Sequence, residues 1–293
     1  MLVYILCLLL LGLPAMVMEL SVGRAAQTSP LYMYEKLSGG GKRWRIPGAI
    51  CLIGNVSLIA FYSVVTGWII YYFVKFLTGQ NASFGFESMI ADPSVNVTYL
   101  LVTIIVTFVI LSFHLQNGLE VNAGPSLLFD TMANVFNHMN GGRWWGALFF
   151  LFMIFAALST MLAVCENILA MVRELTGWSR PKGCVVCGIV TFVLSITTAL
   201  GYSMLHFQPF AKGTAWLDLW DFIVSNNVLP LGSLFLALFC CYRFGWGWDN
   251  FMKEANTGKG LKIQPWMRPI FQYFVPVVIA FIFIYGMVTF AWR

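Results

Sequence analysis

The sequence predicts an all-α integral membrane protein with about seven transmembrane helices. Three observations carry that prediction. Hydrophobic residues make up 59% of the 293-residue chain and charged residues 10%, whereas an ordinary soluble domain carries about 25% charged residues. A chain so poor in charge cannot cover a water-facing surface, and the bilayer is its natural solvent. Seven apolar stretches reach the length that a hydrocarbon core ~30 Å thick demands of a helix, about 20 residues. Tryptophans gather at the ends of these stretches (Trp44, Trp144, Trp145, Trp178, Trp246, Trp248, Trp292), which is the interfacial belt pattern.

The expected spans are residues 2–22, 46–77, 97–115, 145–172, 185–205, 222–242 and 270–292. The first lacks the basic flank and small-residue cleavage site of a signal peptide and is read as a spanning helix. The second is long enough to tilt. The third ends against His114, Gln116 and Asn117. Residues 125–138 form a weaker amphipathic piece, too short and too polar to span, so residues 123–144 are expected to form an external helical loop. No low-complexity tract or composition shift divides the chain, and residues 1–293 read as a single transmembrane domain.

Several function classes are excluded by what the remaining residues do. The net charge of +5 sits in short loops between apolar runs, with no basic stripe interleaved with aromatics, so nucleic acid is not an expected partner and the lipid bilayer is. Cys7, Cys51, Cys165, Cys240 and Cys241 lie within apolar runs, where free Cys acts as a small hydrophobe. Cys184-Val-Val-Cys187 has redox or metal spacing, but it opens an apolar helix with no second ligand pair and reads as packing. Gly39-Gly-Gly-Lys42 does not meet the phosphate-loop pattern. His114, His138 and His206 are scattered, and no paired carboxylates, haem ligands or nucleophile motif occur in the sequence. No enzyme and no cofactor are expected. Asn81 and Asn96 open glycosylation sequons that matter only in a secretory pathway. The compact loops suit a bacterial inner membrane, so the expectation is a multi-pass plasma-membrane protein.

The positive-inside rule then assigns sides. Residues 24–45 (Arg24, Lys36, Lys42, Arg43, Arg45), 173–182 (Arg173, Arg180, Lys182) and 243–268 (Arg243, Lys253, Lys259, Lys262, Arg268) should be cytoplasmic. Residues 78–96 and 206–220 are poor in Lys and Arg and should lie outside. These assignments do not close. Two spans separate 78–96 from 173–182, where an odd number of crossings is required, so either one segment is not a true span or an odd number of spans is absent.

Leu10-Leu11-Gly12-Leu13-Pro14-Ala15-Met16-Val17-Met18-Glu19-Leu20-Ser21-Val22-Gly23-Arg24 resembles the second helix of the neurotransmitter:sodium symporter family. The resemblance continues in family order. Ala60-Phe61-Tyr62 and Trp68 resemble the third helix, and Leu115-Gln116-Asn117-Gly118-Leu119-Glu120 the end of the fourth. Ala123-Gly124-Pro125-Ser126-Leu127-Leu128-Phe129 resembles the long external loop, Ala156-Ala157-Leu158-Ser159-Thr160 the eighth helix, and Trp220-Asp221-Phe222 with Leu229-Pro230-Leu231-Gly232-Ser233 the tenth. The family's fold is an inverted repeat of five-helix halves, so the resemblance implies a partial inverted-repeat transporter bundle covering helices 2–4 and 8–11. The first helix is expected to be lacking. Helices 5–7 are missing between Glu120 and Ala123, which places a deletion point near 120–123. Three missing helices is an odd number, which accounts for the topology conflict.

The resemblance also assigns roles. Ser159 and Thr160 become oxygen ligands of a sodium ion, a hard cation that prefers oxygen; no other metal is implied. The family usually has Thr then Ser, and this chain reverses them. From the residues alone, both hydroxyls bonding back one turn is the ordinary reading. Tyr62 becomes the donor to a substrate carboxylate, and Leu58 and Val164 become pocket walls; otherwise they are aromatic and aliphatic filling. Asp221 becomes an outer gate, or else a helix N-cap. Glu19 becomes a support for broken backbone in the helix core, or else an interfacial acid. Glu166 has no specific role, although an ionisable group within a span marks a functional candidate.

The function implied is sodium-coupled symport of an amino acid or related small amine, with sodium as the coupling ion and the chain as written incomplete and inactive. A non-transporting membrane interaction protein, associating with other transmembrane helices, is the alternative.

Overall fold

The structure is a computed structural model and describes residues 2–80, 85–112, 129, 132–205, 207–210, 214–259 and 262–291. Among the described residues there is no strand. Six helices among the described residues are long and apolar enough to cross a bilayer: α1 (Ile5–Ala26), α3 (Arg45–Thr78), α7 (Gly142–Thr176), α8 (Arg180–Ala199), α9 (Trp216–Cys241) and α11 (Pro265–Thr289). The seventh expected span is α5 (Pro93–Ser112), 20 residues long. Shorter helices are α2 (Pro30–Leu37), α4 (Phe86–Ile90), α6 (Ala133–His138) and α10 (Trp248–Ala255).

Helix ends follow local chemistry more than apolar content. Hydropathy alone starts the third span at residue 97, but α5 starts at Pro93 because Asp92 caps it. The Asp92 carboxylate accepts from the Ser94 backbone N–H at 2.9 Å and from its hydroxyl at 2.7 Å, and proline suits a first helical position. α8 starts at Arg180, behind Ser179 and with Pro181 in its first turn, and stops at Ala199, six residues short of the apolar run's end. α7 closes on Gly177, whose φ of 71° is the left-handed conformation that glycine adopts without a steric cost.

Contacts divide the chain into two compact units, Met1–Gly54 with Phe222–Arg293, and Asn55–Asp221. In the first, Met18 and Val22 of α1, Phe239 and Cys240 of α9, Phe251 of α10 and Phe271 and Val275 of α11 form a buried core. Tyr34 and Trp44 meet Phe239 edge-on, with ring centroids 5.0 and 4.8 Å away. α10 is amphipathic: Trp248 and Phe251 are buried, and Glu254 forms an ion pair with Arg24 in the last turn of α1.

The second unit is built on α3 and α7. Trp68, Tyr72 and Phe76 of α3 pack around Phe129 and Phe150, with Phe129 stacked on Phe86 at 5.5 Å. α3 and α7 are antiparallel in a constant register. Phe76 meets Gly146, Tyr62 meets Thr160 and Asn55 meets Asn167, so each step down one helix is matched by an equal step up the other. Gly146 permits the approach: a Cβ there would lie 2.3 Å from Phe76 Cδ1. A seam of buried hydroxyls lies between α3 and α8, where Ser63 and Ser195 share a 2.7 Å hydrogen bond and Ser63 also donates to the Ile59 carbonyl at 2.9 Å.

α5 and α7 run in the same direction. Both begin beside the far end of α3, since Asn96 accepts from Trp68 Nε1 at 2.9 Å and Arg143 donates to the Leu77 carbonyl at 2.7 Å. Further along, Thr107 of α5 reaches Met161 of α7. Two successive long helices with one direction are the structural form of the charge conflict in the sequence. The expected deletion point at 120–123 lies outside the described residues, as do 123–128, 130 and 131 of the expected external loop. The described part of that loop carries α6 and the buried Phe129.

Two outcomes follow from these contacts. Gly146→Leu should destabilise the chain by about 1–3 kcal/mol, the usual cost of overpacking, read as a lowered unfolding temperature in detergent. The hydrogen bonds from Ser94 hold the Asp92 carboxyl below its usual range, so its cap is in place above the ordinary aspartate value of about 3.9 and is lost as pH falls through the lowered one. Hydrogen exchange at the first turn of α5 should therefore quicken only in strong acid, whereas Asp92→Ala should quicken it at neutral pH.

Candidate functional site

The α3–α7 register gathers five of the seven predicted site residues. On α7, Ser159 Oγ donates to the Ala156 carbonyl at 2.8 Å and Thr160 Oγ1 donates to the same carbonyl at 3.1 Å. Across the seam, the Tyr62 side chain is hydrogen-bonded to that of Thr160. Three oxygens of one helical turn and a phenol from the facing helix thus share one place. The register sets Leu58 opposite Val164, one turn further along, and both are half-buried.

The back-bonding geometry is the alternative the residues offered for Ser159 and Thr160, and the structure has it. It does not remove the hydroxyls as ligands. An oxygen that donates its proton to a carbonyl keeps lone pairs for a cation, and the bonds to Ala156 hold both hydroxyls and the carbonyl together. The Ala156 carbonyl was not singled out in the sequence, because a backbone oxygen carries no residue-type signal.

Asp221 and Glu19 belong to other helices. Asp221 is exposed within the continuous run of α9, and the N-cap alternative does not hold for it. The helix begins earlier, where Asp218 accepts from the Ala215 backbone N–H at 2.7 Å. Glu19 is an exposed residue of α1, whose neighbours Met18 and Val22 are buried.

Glu166 acquires a partner that sequence reasoning missed. Arg180 Nη1 and Nη2 donate to its two carboxylate oxygens at 2.8 and 2.7 Å. The fork joins the last turns of α7 to the first residue of α8 across the Gly177 turn. The signal available was the Gly177 stop followed by Ser179-Arg180-Pro181, a helix end and a helix start close enough to face Arg180 back toward Glu166.

Cys184 and Cys187 are buried free thiols, and among the described residues no group of His, Cys, Asp and Glu has the arrangement of a metal site. His138 bonds its own helix at Asn134 O; His114 and His206 lie outside the described residues.

A multi-pass helical membrane protein with a hydroxyl and carbonyl oxygen cluster on one helix, faced by a tyrosine, is the class that fold and site define. The sequence profile of the sodium:neurotransmitter symporter family matches residues 80–292, most of the chain, and the chain belongs to that family. A sodium-dependent transporter of Bacillus subtilis is 22% identical across 97% of this chain and 88% of its own length. A sodium-dependent transporter of Haemophilus influenzae is 27% identical over 64% of this chain. The human sodium- and chloride-dependent taurine transporter is 25% identical over 62%. The matched part spans 40% of the Haemophilus protein and 30% of the human one. The crystal structure of MhsT in complex with L-phenylalanine shares the fold, with a TM-score of 0.84, 20% identity and coverage of 97% of this chain and 90% of that one. The alignment with the Bacillus protein runs over 402 positions, more than the 293 residues of this chain. Part of that relative therefore has no counterpart here, in keeping with an incomplete chain.

The Glu166–Arg180 fork lies at a partly exposed edge, with side-chain exposures of 43% and 22%. Glu166→Gln should cost no more than about 1 kcal/mol of stability, as partly exposed pairs do, measured as denaturant unfolding of the detergent-solubilised chain.

Proposed function

We propose that the chain is a sodium-coupled symporter of amino acids or related small amines. Ser159, Thr160 and the Ala156 carbonyl would ligate the sodium ion, and Tyr62 would donate to the substrate's carboxylate between Leu58 and Val164. The observation that carries this reading is the meeting of Tyr62 with Thr160 across the α3–α7 seam, which puts a cation ligand and a carboxylate donor side by side. A sodium ion beside a carboxylate favours it electrostatically, more strongly away from bulk water. Substrate and ion would then each raise the other's affinity, which is the thermodynamic content of coupling. Membership of a sodium symporter family supports sodium as the ion, and the taurine and L-phenylalanine named for relatives support a small amino compound as the substrate. Asp221 would act at the outer face as a gate and Glu19 as a support for broken backbone in the helix core. The compact loops support the plasma membrane of a bacterium as its location.

The same-direction run of α5 and α7 favours one second reading, a membrane interaction protein that does not complete a transport cycle alone. Two measurements on the full chain separate the readings. Neither the fold nor the relatives support the expectation that the chain is inactive as written, and in proteoliposomes an inward sodium gradient should drive uptake of a radiolabelled amino acid. In nanodiscs, sodium should promote binding of that amino acid. Thr160→Val should weaken sodium binding by at least about tenfold, the equivalent of about 1.4 kcal/mol. Tyr62→Phe should weaken amino-acid binding and leave sodium affinity in the absence of the amino acid unchanged. Binding without uptake supports the second reading, and a chain with neither removes the first.

A further inference from the structure

The seam that carries Tyr62 and Thr160 continues toward the Arg173 end of α7. Seven residues on, Asn167 Nδ2 lies 3.4 Å from Oδ1 of Asn55 on α3. At 1.5 Å per residue, the pair sits about 10 Å from the hydroxyl cluster, Asn55 about 15 Å inside Arg45, and Asn167 about 9 Å inside Arg173. Both amides are half-buried within long apolar helices, where a polar group needs a partner.

Amide pairs between membrane helices commonly serve as glue, worth about 0.6–2 kcal/mol. This one is loosely closed: 3.4 Å exceeds the ordinary 2.7–3.2 Å range of such bonds. It is also one rung of a series. Along the α3–α7 seam the Ser159 and Thr160 hydroxyls come first and the two amides second, while Glu166, one residue before Asn167, faces Arg180 of α8. Every rung offers oxygen, the donor a hard monovalent cation prefers. Leu58 and Val164 are the apolar step between the first two rungs.

The geometry points to Asn55 and Asn167 as an inner station for a monovalent cation, one step on the cytoplasmic side of the hydroxyl cluster. An ion leaving Ser159 and Thr160 exchanges those oxygens for the amide oxygens before reaching water, which lowers the barrier to departure. This rests on the sodium reading of the hydroxyl pair.

The test uses the full chain in nanodiscs, sodium chloride as the probe and intrinsic tryptophan fluorescence as the readout, at equilibrium and after rapid dilution of sodium. The Asn55→Leu/Asn167→Leu double variant should keep sodium affinity within about twofold and release sodium at least about fivefold more slowly, a barrier increase of about 1 kcal/mol. Asn167→Asp places a carboxylate at the station. It should bind sodium more tightly at neutral pH and lose the gain as the new group protonates, near pH 4 or somewhat above it. Glue alone predicts an unchanged release rate in the double variant and no pH-dependent gain in Asn167→Asp, and that pair of results overturns the inference. If the double variant does not fold, the pH behaviour of Asn167→Asp decides. Ser159→Ala/Thr160→Val with undiminished sodium binding would remove the hydroxyl site instead, and the station with it.

Discussion

The antiparallel register of α3 against α7 is the constraint on which the second unit depends. It is set at one end by Gly146, which lets Phe76 lie against the helix backbone, and it carries through Tyr62 and Thr160 to Asn55 and Asn167. A helix presents a given face every third or fourth residue, so a slip of one residue would turn Tyr62 away from Thr160 and separate the two amides. Packing at the aromatic end thus decides which oxygens meet farther down. In a membrane the apolar faces alone specify register poorly, because lipid solvates them as well as a neighbouring helix does. Close contact at glycine and a few polar meetings supply the specificity.

The two units use different devices for the same end. Around α1 and α9, aromatic rings close on Phe239, and the amphipathic α10 is joined to α1 through Arg24 and Glu254. Around α3, hydroxyls do much of the work, with Ser63, Thr66 and Ser195 each bonded to a backbone carbonyl or to one another. Such bonds satisfy a side chain without using a second side chain, and hydroxyl residues pass through apolar helices at low cost.

Much of this was legible in the sequence because hydropathy and charge are collective properties. Spans stand out by length and apolarity, and the mismatch in crossings is legible in Arg and Lys placement, which the shared direction of α5 and α7 matches. Helix ends were read less well. Asp92-Pro93 and Ser179-Arg180-Pro181 fix starts that an apolar run blurs, and Asp221 looked like a start only because Asp218 lay outside the apolar run. Ser159, Thr160 and Tyr62 could be singled out because their side chains carry a residue-type signal. The Ala156 carbonyl and the Glu166–Arg180 fork were not. One is backbone, and the other depends on how a turn brings two helix ends together.

Asn96 shows how a local pattern and a fold can compete for one side chain. It opens the tripeptide Asn96-Val97-Thr98, which a eukaryotic secretory pathway reads as an acceptor for an N-linked sugar. In the folded chain its amide is 1% exposed, accepts from Trp68 and donates to the Ile90 carbonyl at 2.7 Å, holding the segment before α5 against α3. A sugar attached during synthesis would take that amide before the fold did. The choice of expression host is for this chain also a choice about whether that corner can close.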